Sequence, residues 1–231
     1  MVQRKSLSLV IALLVFCAGH LWAGDTATFV DLGFSPDEKV YVFAQHGVEA
    51  LTLRPWADLA VVDVSRNDFI PGGRVSFTHS QPVGPGQDGS GALYRILSQN
   101  TTLTARYGIN FLQQGQPLYI SPERAEQAPI EFRDFQTGAT YRASLTQQSE
   151  GSGNNLLSSF HIILEKTGPG IAKQSYIVGS PQLRRRLITS YDIRKVIRTP
   201  QDGALIFVIE TRKPNDRGFD IRYMVETIKL D

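Results

Sequence analysis

Residues 33–43, GFSPDEKVYVF, pass directly from a turn into an alternating run of valines and aromatic residues. Pro36 holds its φ angle at about −65°, and Asp37 can accept hydrogen bonds from nearby backbone amides. The residues that follow alternate, so that every second side chain faces the same side, which is typical of a half-buried β-strand. The stretch therefore predicts a proline-led corner that opens a strand.

Residues 199–209, TPQDGALIFVI, repeat this pattern near the carboxyl end of the chain. In both stretches a hydroxyl residue precedes proline, turn-forming residues follow, and an aromatic residue, Phe43 or Phe207, stands seven positions after the proline. Asp202 can bond backbone amides as Asp37 does. The two stretches therefore predict two corners of the same design.

Short alternating runs separated by Gly, Pro, Asn and Asp continue along the chain, which predicts a mainly β single domain of antiparallel sheets. The predicted strands are 28–32, 39–45, 59–64, 74–78, 117–120, 130–135, 140–146, 159–166, 175–178, 187–197, 204–211 and 219–230. The last two flank the turn sequence PNDRG and predict a closing hairpin. Residues 147–155 predict a flexible polar loop, and residues 167–173 predict another turn.

One α-helix is predicted at residues 91–107. Ser90 is the expected N-cap, apolar residues follow at helical spacing, and Gly108 is the expected end. Threonines at 101, 102 and 104 oppose this prediction because β-branched side chains lose rotamer freedom in a helix.

Several segments resemble known families. FSPDEKVYVF resembles the strand-opening motif of propeller blades in Tol-type and WD40-like proteins, and DLAVVD resembles the blade strand that follows. This resemblance implies propeller-like hairpins at the two ends of the domain. A whole propeller would need repeats of about 40 residues, and none is found between Arg74 and Leu187.

A wider set of segments is similar to an uncharacterised bacterial family of predicted secreted proteins. These segments are FVDLGFSPDEKVYVFAQHGV, LAVVDVSRNDFIPGG, YIVGSP, RTPQDGALIFVIE and DIRYMVETIKL. The resemblance implies export and carries no catalytic residue.

Residues 1–23 predict a secretory signal peptide, because Arg4 and Lys5 precede the apolar run SLSLVIALLVFCAG. That run is shorter than the roughly 20 residues of a membrane anchor, so no transmembrane span is expected after processing. Cleavage after Ala23 would leave a secreted or periplasmic domain, residues 24–231. Lipidation at Cys17 is the disfavoured alternative because Phe16 stands where a small residue is needed.

Processing also changes the composition of the protein. Cys17 is the single cysteine, so the mature chain has no disulfide and no thiol chemistry. Removing Arg4 and Lys5 from the 24 basic residues leaves 22 basic against 22 acidic residues. This neutral balance disfavours a nucleic-acid binder.

Motifs for cofactors and metals are weak. Residues 84–89 have the GxGxxG spacing, but Pro85 removes an amide and no acidic residue stands near 20 positions downstream. Residues 63–74 resemble a calcium loop, but Asp68 replaces the required glycine and Arg74 the required glutamate, so a strand ending in a polar turn is favoured. The histidines that remain after processing, His46, His79 and His161, are isolated, and no GxSxG motif is present. We therefore expect no cofactor and no metal.

Basic residues concentrate between positions 184 and 198, where Asp192 is the single acidic residue. They are Arg184, Arg185, Arg186, Arg194, Lys195 and Arg198. The first five are the predicted binding residues for an envelope protein or an anionic envelope polymer. The alternative is a solvated strand face whose charges protect a sheet edge. Trp56 and Tyr191 are candidate contact aromatics whose ordinary use is core packing.

The sequence favours a noncatalytic binding or interaction module of the cell envelope. The alternative is a hydrolase of an envelope polymer, built from carboxylates that converge in the fold from Asp63, Glu131 or Glu165. A third possibility is a structural assembly subunit, which would self-associate as its concentration rises.

Overall fold

The computed structural model describes residues 24–84, 86–121, 129–201 and 203–230. Within these ranges, no helix has the length and apolar character that crossing a bilayer requires. The predicted signal peptide and Asp202 lie outside the described residues.

The described residues form a mainly β, antiparallel structure, as predicted. The strands are β1 (Thr28–Phe34), β2 (Val40–Val48), β3 (Pro55–Asp63), β4 (Asp68–Thr78), β5 (Gln116–Ile120), β6 (Ile130–Arg133), β7 (Thr140–Glu150), β8 (Leu157–Gly168), β9 (Ile171–Val178), β10 (Arg185–Arg186), β11 (Ser190–Arg198), β12 (Leu205–Asn215) and β13 (Gly218–Ile228). Every predicted strand is present, and the short β10 was not predicted. The expected closing hairpin is β12–β13.

The predicted helix is two helices, α1 (Ser90–Gln99) and α2 (Thr101–Arg106). They separate at Asn100, whose side-chain amide donates to the Ile96 carbonyl at 2.8 Å and ends α1. Ser90 is not the N-cap: Gly89 takes that position, and the Asp88 carboxylate accepts hydrogen bonds from the Ser90 amide and hydroxyl. Gly108 follows α2 with φ +58°, close to the predicted end.

The predicted flexible loop at residues 147–155 is wrong in its first half. Residues 147–150 continue β7 and pair with β8, and residues 153–155 form a short 3-10 helix. The hydrogen bonds between strands are made by backbone groups. A polar sequence can therefore continue a strand beyond the part whose side chains pack in the core. Gln147 also accepts a hydrogen bond from the Tyr191 amide at 3.2 Å, which ties this extension to β11.

The strands form three antiparallel sheets. The N-terminal sheet has the order β1-β2-β3-β4, the central sheet β13-β12-β11-β5, and the outer sheet β10-β8-β7-β6, with β9 also paired to β8. Most neighbours are consecutive hairpins, whereas β5 joins β11 across a long stretch of chain. The last hairpin of the chain, β12–β13, therefore lies in the central sheet.

The three sheets stack, and the central sheet is apolar on both faces. Leu205, Phe207 and Ile209 face the core shared with the outer sheet, whereas Ile206 and Val208 face the core shared with the N-terminal sheet. A third core lies between the N-terminal sheet and α1. This double burial explains why β12 begins with a continuous apolar run instead of a simple alternation.

The two proline-led corners have the same geometry, as predicted. The Ser35 amide donates to the Val40 carbonyl, and the Ser35 hydroxyl accepts from the Val40 amide at 3.0 Å. Thr199 makes the same pair of bonds to Ala204, the second at 3.1 Å. In the outer sheet the Asp134 amide donates likewise to the carbonyl five residues later. The outer sheet therefore has a corner that shares the backbone bond of the two proline-led corners.

The three corners also bind one another. The Glu38 carboxylate of the first corner accepts the Gln201 amide at 3.0 and 3.1 Å. Arg198, beside Thr199, reaches the outer sheet, where its Nε lies 3.1 Å from Asp134 Oδ2 and its Nη1 donates to Gln136 at 2.7 Å. These contacts link the N-terminal, central and outer sheets in series.

Removing either corner hydroxyl should destabilise the fold. Ser35→Ala and Thr199→Val each leave a buried amide without its side-chain acceptor, so we expect the free energy of unfolding to fall by about 1–2 kcal/mol. Ser65→Ala, which removes an exposed hydroxyl bonded to Asp63, is the control and should cost no more than about 0.5 kcal/mol. Urea denaturation measures all three. Equal losses in variants and control would contradict the role of the corners.

Candidate functional site

Two concave surfaces lie on either side of Phe77 and Thr78, at the end of β4. A groove of about 1010 Å³ runs beside α1 and is lined by residues of the loop that leads into that helix. A smaller cleft of about 480 Å³ lies where the N-terminal and central sheets meet. The groove is the larger of the two. Its charged or titratable lining residues, His79, Asp88 and Arg95, are all exposed to solvent. The cleft holds a half-buried ion pair, Asp25 with Arg222, and an aromatic ring, Trp56.

The cleft, called here the Trp56 cleft, is built from the end of β4 and four other parts of the chain. Asp25 precedes β1, residues 49–52 form the turn between β2 and β3, Trp56 and Asp58 lie on β3, and residues 215–222 form the closing hairpin. These parts meet because the β12–β13 turn folds over the N-terminal sheet, where Arg217 donates to the Ala50 carbonyl. The cleft is therefore a product of sheet stacking.

One wall of the Trp56 cleft is a bonded set of three side chains. The Trp56 indole N–H donates to Asp25 Oδ1 at 3.2 Å, and Arg222 Nη2 lies 2.7 Å from Asp25 Oδ2. The Arg222 guanidinium also stacks on the indole, 4.0 Å from the ring centre. Gly47 lies under the ring, and a side chain there would collide with Trp56. Trp56 and Asp25 are 5% and 7% exposed, so this wall is fixed.

Hydrogen bonds also hold two other carboxylates of the Trp56 cleft, Asp58 and Asp220. Asp58 Oδ2 accepts from Gln45 Nε2 at 3.2 Å, and Gln45 in turn accepts the Tyr223 amide of the central sheet at 2.8 Å. Asp220 Oδ1 accepts the Asp25 amide at 3.2 Å and the side-chain amide of Asn215. Each carboxylate is thus positioned by its own partner.

The lining of the Trp56 cleft is predominantly acidic. Its charged members are Asp25, Glu49, Asp58, Asp216, Asp220, Arg217 and Arg222. Burial raises the pKa of Asp25, and the neighbouring Asp220 charge adds to this rise, while Arg222 and Trp56 oppose it. A cation entering the cleft would offset this concentration of negative charge.

The predicted basic segment has a mixed environment. Arg185 Nη2 lies 3.1 Å from Glu226, and its guanidinium stacks 5.0 Å from the Phe160 ring centre. Arg184 pairs with Glu150 at the surface, and Arg186 is exposed. Arg185 therefore links the segment to the central and outer sheets, whereas Arg184 and Arg186 are exposed.

The other basic residues of this segment face neighbouring strands and sheets. Arg194 Nε lies 3.4 Å from Glu210 on β12, and Lys195 Nζ lies 3.9 Å from Asp31 on β1. Lys195 and Arg198 of β11 therefore link the central sheet to the N-terminal sheet and to the outer sheet. Their acidic partners are remote in sequence, so local charge counting overestimates the free charge of the segment.

Asp63 does not join the other two carboxylates considered for hydrolysis, Glu131 and Glu165. Glu131 and Glu165 lie in register on either side of Arg142 in the outer sheet, whereas Asp63 ends β3 in the N-terminal sheet. Asp63 accepts the Ser65 and Arg66 amides at 3.0 Å, which confirms a strand that ends in a polar turn. The structure brings Asp25 and Asp220 together instead. Sequence reasoning missed this pair because no local motif connects positions that are 195 residues apart.

The glycine-rich loop is described except for Pro85, and a protein group already binds the start of the helix that follows it. Gly89 is the N-cap of α1, and the Ser90 amide donates to the Asp88 carboxylate. A phosphate at this helix start would have to displace that carboxylate. His46 is buried, and His79 bonds to Gln81 in an exposed loop. No group of three His, Cys, Asp or Glu side chains close enough to hold a metal ion occurs among the described residues.

Comparison with known proteins gives the family of the chain. No curated protein and no solved structure matches it, so the likeness to propeller proteins is not confirmed. A family model described as "Predicted secreted protein (DUF2259)" matches residues 42–229. The match extends from within β2 to just past the end of β13 and includes all of the Trp56 cleft except Asp25. The chain therefore belongs to the DUF2259 family of predicted secreted proteins.

Proposed function

We propose that this protein is a noncatalytic binding module of the cell envelope, exported by its leader, and that the Trp56 cleft is its contact surface. The proposed partner is an envelope protein that inserts a lysine- or arginine-rich segment into the cleft. The observation that carries the proposal is the wall of Trp56, Asp25 and Arg222, a rigid and partly desolvated surface within an acidic cleft.

Charge and shape both support a cationic ligand. Acidic residues outnumber basic ones in the lining, and Arg222 already pairs with Asp25. Asp58 lies on β3 and the exposed Asp216 in the β12–β13 turn, so an extended basic segment could pair with both. Phe77 and the exposed Leu51 add apolar area for the aliphatic stems of lysine or arginine.

A binding role fits the bonding of the carboxylates. Asp25 accepts from Trp56 and Arg222 at the same time, and Asp58 accepts from Gln45. Such bonds fix the orientation of both carboxylates, which suits recognition of a cation. The basic-segment contact with an anionic polymer remains a separate prediction, for which the exposed Arg184 and Arg186 are the accessible residues.

Tryptophan fluorescence tests the proposal. Trp56 and Trp22 are the two tryptophans of the chain, and Trp22 belongs to the predicted leader, so Trp56 alone reports from the mature protein. Titration with tetralysine should give a saturable fluorescence change that weakens as salt rises, because ion pairs at a surface cleft are screened. Tetraglutamate should give none.

Charge variants locate the interaction. Asp58→Asn and Asp216→Asn should each weaken tetralysine binding roughly threefold to tenfold, since each removes one favourable charge contact. The matched control is Asp68→Asn, which removes an exposed carboxylate outside the cleft and should leave binding unchanged. A fluorescence response to both peptides, or to neither, would contradict the proposal.

A hydrolase is the second candidate, favoured by one observation. Asp25 and Asp220 share the Trp56 cleft, and burial, with a smaller contribution from the Asp220 charge, raises the pKa of Asp25, as a general acid requires. If this pair cleaves an envelope polymer, wild-type protein should release soluble fragments from purified peptidoglycan and Asp220→Asn should not. Absence of fragments from the wild-type protein would remove this candidate for that polymer.

A further inference from the structure

The groove beside α1, called here the α1 groove, shares only Phe77 and Thr78 with the Trp56 cleft. The buried members of its lining, Pro55 and Ala92, are both apolar, so the deepest part of the groove is apolar. The half-buried Phe77 ring lies edge-on to the His79 ring, with 6.3 Å between the ring centres. The groove therefore offers an apolar floor with an aromatic ring beside it.

Residues 86–88, in the glycine-rich loop, form one wall of the α1 groove, and this loop is seated on the N-terminal sheet. A Cβ atom at Gly89 would lie 2.2 Å from the Gly47 carbonyl oxygen of β2, so only glycine allows this close approach. The Gly84 amide donates to Gln87 Oε1 at 2.8 Å, and the Gln87 amide donates to the Gly84 carbonyl at 3.1 Å. The glycines therefore shape a wall of the groove instead of a phosphate cradle.

Residues 79–83 form another wall, which backbone hydrogen bonds hold at both ends. The His79 amide donates to the Pro55 carbonyl at 2.9 Å, and the Val83 amide donates to the Leu53 carbonyl at 2.8 Å. Between these ends, the Gln81 amide donates to His79 Nδ1 at 3.1 Å. The groove is therefore preformed, as ligand sites usually are.

The rim of the α1 groove carries polar side chains that the fold does not use. Among the described residues, the side chains of Gln81 and Arg95 take part in no hydrogen bond or ion pair, and both are exposed. Asp88 Oδ1 accepts from the Ser90 amide and hydroxyl, which holds the carboxylate in place with Oδ2 as a further acceptor. The rim therefore offers both donors and acceptors to a ligand.

The charges of the lining balance. With histidine counted as neutral, Asp88 and Arg95 are its charged members, so the α1 groove has no net charge, in contrast to the acidic Trp56 cleft. The other polar members are the hydroxyl and amide side chains of Thr78, Ser80, Gln81 and Gln87. Such a lining gives no net attraction to a charged ligand and matches an uncharged one that is rich in hydroxyl groups.

We propose that the α1 groove binds a neutral oligosaccharide. Sugar rings have apolar C–H faces, which would pack on Phe77 and the apolar floor. Their hydroxyl groups would donate to Asp88 and accept from Arg95, and the fork of a guanidinium or a carboxylate can meet two neighbouring hydroxyls at once. The inference goes beyond the proposed function and does not rest on the Trp56 cleft.

Size and backbone bonding favour an oligosaccharide over a single sugar or a peptide. The groove volume of about 1010 Å³ is at the upper end of the roughly 300–1,000 Å³ that is typical of small-molecule pockets. An extended peptide is best bound by free backbone groups at a sheet edge. In this groove the His79 and Val83 amides already donate to the protein, so recognition falls to side chains.

Calorimetric titration of the purified protein tests the ligand class. The ligands are N-acetylchitohexaose, cellohexaose, maltohexaose and the neutral peptide (Ser-Gly)3. We expect saturable binding of at least one oligosaccharide, with little dependence on salt because the groove has no net charge, and no binding of the peptide. Binding of the peptide, or of none of the four ligands, would overturn the inference.

A variant that fills the α1 groove locates the binding. A Cβ atom at Gly91 meets no atom within 4 Å, and leucine favours a helix, so Gly91→Leu should not lower the melting temperature. Its side chain should weaken oligosaccharide binding roughly tenfold or more, because it takes up space in the groove. The matched control is Gln99→Leu, which is exposed on the same helix outside the groove and should leave binding unchanged. Equal affinities of the two variants would overturn the inference.

Two further measurements separate this site from the Trp56 cleft. Arg95→Ala removes an exposed donor and should weaken oligosaccharide binding roughly tenfold, since a hydrogen bond from a charged group is lost. Gly91→Leu should leave tetralysine binding unchanged, and the combined Asp58→Asn and Asp216→Asn variant should leave oligosaccharide binding unchanged. Oligosaccharide binding that is lost with the cleft charges and retained in Arg95→Ala would place the ligand in the Trp56 cleft and overturn the inference.

Discussion

Replacing Asp134 with alanine should lower the free energy of unfolding by about 3–5 kcal/mol. The Asp134 carboxylate is fully buried and lies 3.1 Å from Nε of Arg198, which is 8% exposed. The substitution leaves the guanidinium in the protein interior without its counterion. It also removes the acceptor for the Gln136 amide at 2.8 Å and for the Thr137 hydroxyl at 2.7 Å. The loss should therefore exceed that of an ordinary hydrogen bond.

An exposed ion pair provides the matched control. Lys173 and Glu165 lie 2.7 Å apart at the surface, so Glu165→Ala should change stability by no more than about 1 kcal/mol. Arg198→Met in the Asp134→Ala background should recover part of the loss, since it removes the stranded charge. Urea denaturation of the three variants measures these differences. Similar losses for Asp134→Ala and Glu165→Ala would contradict a buried link between the central and outer sheets.

The same carboxylate should make the fold sensitive to acid. Burial alone would raise the pKa of Asp134, but the hydrogen bonds from Thr137 and Gln136 and the charge of Arg198 together lower it below 3.8. A carboxyl with a lowered folded-state pKa stabilises the protein above its unfolded pKa, and this stabilisation is lost as pH falls through the folded-state pKa. Asp134→Ala should therefore show a shallower loss of stability below about pH 4 than the wild-type protein.

Phe207→Ala should also cost about 3–5 kcal/mol of stability, because it empties the middle of the central sheet. The side chain is fully buried on β12 and packs in the core that the central and outer sheets share. The control is Phe135→Ala, since that ring is 80% exposed, and it should cost less than about 1 kcal/mol. Circular dichroism and tryptophan fluorescence should report a single coincident unfolding transition. Because Trp56 reports from the N-terminal sheet, unfolding of the outer sheet alone would contradict the interlocked stack.

The strands and corners were predictable because their signals are local. Short alternating runs of four to twelve residues marked the predicted strands, and one serine or threonine before proline marked each of two corners. Residues 204–209, ALIFVI, are continuously apolar, which fits the burial of β12 on both faces. This run does not indicate that β12 lies in the middle sheet of the three. Position in the stack depends on which sheets pack together, and no short pattern encodes that choice.

The candidate site could not be predicted, because its bonds join distant parts of the chain. Arg222 and Asp25 are 197 residues apart, and Trp56 and Asp25 are 31 apart. Trp56 alone reads as a core residue, and it is indeed buried; its position beside a cleft depends on the closing hairpin. Charge counting drew attention to residues 184–198, whereas their acidic partners are contributed by other strands and sheets.

Site-specific photo-crosslinking in intact cells tests the binding role of the Trp56 cleft most directly. A photoreactive amino acid would replace Thr52 at the cleft rim, Arg186 in the basic segment, or Ile177 on the outer sheet, all of which are exposed. The proposal predicts a discrete adduct with an envelope protein from Thr52, lost when Asp58→Asn and Asp216→Asn are combined, and no adduct from Ile177. An adduct formed from Arg186 but not from Thr52, or an adduct at Thr52 that survives the loss of both charges, would contradict it.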